Sequence, residues 1–193
     1  MAIDKVTSAG LTEDIITGQT AETTIADDDL ILLSDTSASA ALKKMTRANF
    51  VSGIGGTNTP AFYVTSQTTN NVANTTHTQL AFDTEIFDTD NAYTSNAFTV
   101  PSGKGGKYVL YAQAGRQNWD SDRFLVYLYK NGSTEISIGE SAINTTGYHT
   151  TNTIVLANLS AGDVITVQTY HNAGSTKGYS LGDRTAFGGF KLL

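Results

Sequence analysis

Phe124-Leu125-Val126-Tyr127-Leu128-Tyr129-Lys130-Asn131-Gly132-Ser133-Thr134-Glu135-Ile136-Ser137-Ile138 reads as strand, turn and strand in one stretch. Its first six residues are all aliphatic or aromatic, the pattern of a strand that is apolar on both faces. Asn131-Gly132 is the dipeptide best suited to a tight hairpin turn, because both residues tolerate positive φ. Glu135-Ile136-Ser137-Ile138 then alternates polar with apolar, the period of a half-buried strand.

The same texture extends in both directions. Towards the C-terminus, residues 151–156 and 164–170 alternate, and 186–193 closes the chain as an apolar segment. Towards the N-terminus, residues 107–112, 96–100, 79–82 and 61–64 are further strand candidates, with Pro101 stopping one of them. Many short strands without long helices between them predict an all-β sandwich or jelly roll, its last strand deep in a sheet. There is no internal repeat and no collagen-like triplet.

Residues 1–56 differ. Asp27-Asp28-Asp29 leads into Leu30-Ile31-Leu32-Leu33, a short strand closed by Ser34-Asp35. Leu42, Met45 and Asn49 lie one turn apart, so the spacing predicts a helix from Leu42 onward, with Ser39 as its N-cap and Gly53 at its end. A helix this short and a lone strand are each marginal in isolation. The arm is therefore expected to fold against another subunit or a docking protein. Gly53-Ile54-Gly55-Gly56-Thr57-Asn58 reads as a hinge, which divides the chain into an arm, 1–56, and a domain, 57–193.

Composition narrows the function. A net charge of −6 argues against a nucleic-acid partner, which would require a basic face. Zero cysteines exclude disulfides, thiol catalysis and cysteine zinc sites. No segment approaches the ~18 apolar residues of a membrane span, so no membrane insertion is expected. Met1-Ala2-Ile3-Asp4-Lys5 has no apolar core of a signal peptide. Neither Gly-x-Ser-x-Gly nor His-Glu-x-x-His occurs. The carboxylate pairs Asp83/Glu85 and Asp88/Asp90 alternate on strands and read as surface charges. The chain is read as a non-enzyme with no cofactor.

The strand landmarks also follow a known order. Phe82; Asn91 and Tyr93; Phe98, Pro101, Gly106 and Tyr108; Val126, Leu128 and Asn131-Gly132; Leu159, Gly162-Asp163 and Ile165; and Phe187, Gly189-Phe190 and Leu192 appear in sequence. In this order they resemble the globular head of the complement C1q and tumour-necrosis-factor superfamily. The departures are an expanded turn, Pro101-Ser102-Gly103-Lys104-Gly105-Gly106, and the missing collagen stalk. The resemblance implies a ten-stranded jelly roll and three protomers around a threefold axis. It also implies core or trimer roles for Phe82, Phe98, Tyr108, Val126, Leu128, Phe187 and Phe190. The second apolar face of 124–129 fits cover by a neighbouring subunit. The arm is similar to the attachment segments of bacteriophage virion proteins.

Candidate sites fall in loops, where binding residues concentrate. Trp119 with Arg116 suits stacking on a glycan, and Asp120 with Asp122 suits Ca²⁺, which prefers oxygen ligands; the plainer alternative is a solvated connection. Tyr148-His149 and Tyr170-His171 are loop-end aromatics suited to a surface cleft. Lys177-Gly178-Tyr179 with Asp183-Arg184 forms a second candidate recognition surface. His77, His149 and His171 stand too far apart in the chain to read as a metal triad. Gly188-Gly189 reads as a close approach of strands at the threefold axis.

Together these readings predict a bacteriophage virion structural protein, made in the host cytoplasm. It would be a homotrimeric fibre or knob docked to other virion proteins by 1–56, with a head that adheres to host surface glycans. A capsid decoration protein without a receptor, and a secreted bacterial C1q-like lectin, remain as alternatives.

Overall fold

The computed structural model describes residues 24–35, 41–52, 58–143, 147–179 and 182–192. They fall into two compact units, Met1–Gly55 and Gly56–Leu193.

In the first unit, β1 (Leu30–Asp35) and β2 (Ala41–Thr46) form an antiparallel hairpin, followed by α1 (Arg47–Ser52). The helix expected from Leu42 is thus corrected: residues 41–46 are a strand, and the helix begins at Arg47. Pairing supplies the backbone partners that β1 would otherwise lack. The first free N–H groups of α1 are satisfied by the carbonyls of Asp29 and Asp27, and the Arg47 guanidinium pairs with the Asp27 carboxylate. Ser39 and Gly53, the expected helix ends, and most of the expected hinge lie outside the described residues. No residue of α1 is buried, and Ile25, Leu30, Phe50 and Val51 remain exposed.

The second unit opens with β3 (Ala61–Ser66), β4 (Asn71–Val72), β5 (Thr78–Gln79), β6 (Thr84–Asp88), β7 (Tyr93–Thr94) and β8 (Ala97–Thr99). It continues through β9 (Gly106–Gln117), β10 (Ser121–Lys130), β11 (Thr134–Ile143), β12 (Tyr148–Leu159), β13 (Val164–His171), β14 (Lys177–Gly178) and β15 (Gly182–Lys191). Two antiparallel sheets form the sandwich. One runs β12-β9-β15-β3-β6, the other β11-β10-β13-β8-β7 with β5 beside β13. The last strand lies in the middle of its sheet, as expected. Asn131 and Gly132 both hold positive φ in the turn between β10 and β11.

Alternation packs one face of each sheet into a common core. Phe62 stacks on Phe98 at 4.4 Å and meets Phe187 edge-on at 4.8 Å. Phe82, Tyr108, Val126 and Leu128 are buried around them, while Phe190 of the expected set points the other way and is partly exposed. Burying each such side chain contributes roughly 1.5–3 kcal/mol.

Two further expectations bear on this architecture. A Cβ on Gly189 would stand 2.7 Å from the Val109 carbonyl oxygen, and one on Gly188 2.9 Å from that of Phe62. The close approach of strands expected at Gly188-Gly189 is therefore present, within their own sheet. The expected cover of the second face of β10 by a neighbouring subunit is corrected: that face is covered from within the chain. Leu125 is fully buried and Tyr127 only 6% exposed, with the His77 ring 4.9 Å from Tyr127.

Candidate functional site

β9 places Tyr108, Leu110, Ala112 and Ala114 inside the sandwich, and the same period carries Arg116 inside as well. Its guanidinium lies 5.1 Å from the centre of the Trp119 ring. Trp119 is only 7% exposed. Its Nε1–H donates to the Gly178 carbonyl at 3.1 Å, and its ring packs against Phe124, His171 and Tyr179 at 5.1–5.8 Å. The Tyr179 hydroxyl shares a 2.6 Å hydrogen bond with the Thr169 hydroxyl. Desolvation raises the Tyr179 pKa strongly and lowers that of Arg116.

Arg116, Trp119 and Tyr179 were expected in exposed recognition loops; they form an internal cluster instead. A ring packed on several sides cannot stack on a sugar. The apolar area of Trp119 is better used against Phe124 and Tyr179 than in water. His171 belongs to the same cluster rather than to a surface cleft. It is fully buried, with Nδ1 accepting from the Ala173 N–H and Nε2 at 3.0 Å from the Val72 carbonyl. Burial lowers its pKa.

The other expected residues divide. Arg184 lies over the exposed Tyr148 ring at 4.5 Å, and Gln117 donates to the Tyr148 hydroxyl at 2.5 Å. His149 is on β12 opposite Arg116, and Lys177 is on β14 opposite Val72. Asp120 is exposed, whereas the Asp122 side chain lies outside the described residues. Among the described residues no group of three histidine or carboxylate side chains is placed to hold a metal ion.

A broad apolar surface was missed by sequence reasoning. It is the outward face of β12-β9-β15-β3-β6. One row across it runs Ile154, Tyr111, Gly188, Tyr63 and Phe87; the next runs Leu156, Val109, Phe190 and Ala61. Ile154 is 65% exposed and Leu156 74%. A shallow hollow of about 250 Å³ between Leu156, Ala157 and Leu192 continues the second row. The signal was present in Ile154-Val155-Leu156, where Val155 packs on the core and its two neighbours must point away from it.

The family model described as the C1q domain matches residues 61–192. The globular domain of zebrafish complement 1qA protein is similar in structure at 15% identity and a TM-score of 0.54, over 69% of this chain and 98% of that one. Murine APRIL is similar at 17% identity and a TM-score of 0.54, over 68% and 98%. Eiger TNF from S. frugiperda is similar at 13% identity and a TM-score of 0.53, over 69% and 92%. The comparison with curated proteins gave no match.

Proposed function

The chain belongs to the C1q domain family, and from that premise we propose that three copies join through the outward face of β12-β9-β15-β3-β6 into a homotrimeric structural and adhesive head. The observation that carries the reading is the pair of apolar rows containing Ile154 and Leu156. Burying either side chain is worth roughly 1.5–3 kcal/mol. Closing the ring places that face of each copy against its neighbours, and a stable interface of this kind buries more than ~1,000 Å².

The first unit fits an attachment role. Ile25, Leu30, Ile31, Phe50 and Val51 line an open hollow of about 520 Å³, and none of these side chains is buried among the described residues. Such a surface suits docking onto another protein. The whole chain is accordingly read as a bacteriophage virion protein without enzymatic activity. It would be a tail fibre or knob with the head turned outward to the host surface.

A cryo-EM map of the parent particle tests this placement. Threefold density at a fibre tip is the expected result. The same density on the shell replaces adhesion with capsid decoration, and its absence from the particle overturns the virion reading.

A further inference from the structure

The outward face of the other sheet carries a row of rings that neither the core nor the proposed trimer contact uses. Tyr129 and Tyr127 of β10 stand 5.8 Å apart between ring centres. The His77 ring follows at 4.9 Å from Tyr127, and the Tyr170 ring of β13 at 5.3 Å from His77. Alternation explains the row. Thr166, Gln168 and Tyr170 face outward because Ile165, Val167, Thr169 and His171 are buried.

Planar polar groups flank the rings. The Arg123 guanidinium lies 6.0 Å from the Tyr170 ring centre and is held by Glu140, Nε to Oε1 at 2.7 Å and Nη2 to Oε2 at 3.4 Å. Glu135 lies near enough to the Tyr127 and Tyr129 hydroxyls to act on them electrostatically. Gln168 pairs across the sheet with Tyr127, between the two ends of the row.

We propose that this row is a glycan-binding platform, taking a short run of pyranose units along Tyr129, His77 and Tyr170. A pyranose presents flat C–H faces and a rim of hydroxyls. The first matches rings that offer an apolar face and a polar edge. The second matches the paired donors and acceptors of Arg123, Glu140, Glu135 and Gln168.

The chemistry disfavours other ligands. Arg123 is neutralised by Glu140 and the chain carries a net −6, so a polyanion is repelled. The buried core of a protein–protein contact is largely apolar, whereas among the described residues the one large exposed aliphatic side chain of this face is Ile138, beside Tyr127 at 45% exposure.

The inference rests on the adhesive reading of the head, to which it supplies a surface and a ligand class. It does not require the trimer.

The test is an array of immobilised bacterial and mammalian oligosaccharides, probed with the full chain and with Tyr170→Ala, Tyr170→Phe and His77→Ala. The wild type is expected to bind at least one class of glycan. Tyr170→Ala should lose about tenfold or more in affinity, ~1.4 kcal/mol, while Tyr170→Phe keeps most of it because the ring remains. Should Tyr170→Ala fail to fold, His77→Ala decides in its place, since His77 is exposed. A wild type that binds no glycan, or a folded ring variant that binds as well as wild type, overturns the proposal. Measuring the mass of the same samples separates the two readings: a trimer that ignores glycans sinks this inference alone.

Discussion

The carbonyl oxygen of Asn152 lies where a side chain on Gly139 would have to begin, 2.0 Å from the Cβ position. β11 and β12 belong to different sheets, so this contact closes one edge of the sandwich. Hydroxyl pairs complete the seam on either side, Ser137 with Thr153 and Ser141 with Thr151, each at 2.5 Å. The closed seam also fixes β12, the strand that presents Ile154 and Leu156 outward. Gly139→Ala should therefore force the edge apart and destabilise the fold by about 1–3 kcal/mol, the usual range for overpacking. Urea unfolding measures it; an unchanged midpoint would mean that the seam is not closed in solution.

Leu156→Lys places a charge in the proposed contact while leaving the core untouched, because Leu156 is 74% exposed. The variant should keep the far-ultraviolet β spectrum and lose its assembly. A trimer that survives with unchanged mass would move the interface elsewhere.

Trp119→Ala removes a ring packed between Phe124, His171 and Tyr179. The expected cost is about 3–5 kcal/mol of folding stability, as for other buried aromatic truncations. A denaturation curve decides the point. Wild-type stability with loss of ligand binding alone would restore the exposed role that the sequence suggested.

Two buried groups contribute to the acid sensitivity. His171 has a lowered pKa, from burial above all, so the folded state binds fewer protons than the unfolded chain. Its contribution is complete above about pH 6.5 and declines as pH falls below that value. Asp163 is held down to about 2 by hydrogen bonds from Lys130, the Ser160 N–H and Asn131. Its contribution is complete above about pH 3.9 and is lost as pH falls through the folded value. Unfolding free energy measured against pH should therefore decline in two stages on acidification. His171→Gln should abolish the first stage, and stability that rises from pH 7 to 5 would refute the assignment.

What could be read from sequence was what local chemistry decides. Asn131-Gly132 announced its hairpin because few other dipeptides accept two positive φ values. The β12 and β13 strands showed their period directly. Leu42 and Met45 misled, since their spacing fits a helix and only pairing with the preceding strand β1 makes a strand of them. Trp119 misled for a similar reason: its polar neighbours suggest solvent, but its hydrogen-bond partner Gly178 is 59 residues away. The doubly apolar β10 was read correctly, whereas the His77 ring that covers it comes from a segment with no strand signal of its own. The apolar face left open belongs to β12 instead.

The most direct test of the account is the mass of the full chain in solution at micromolar concentration, by analytical ultracentrifugation. Three times the 20.5 kDa chain mass is the predicted result. A single species at 20.5 kDa would contradict it, because Ile154 and Leu156 would then face water with nothing to cover them.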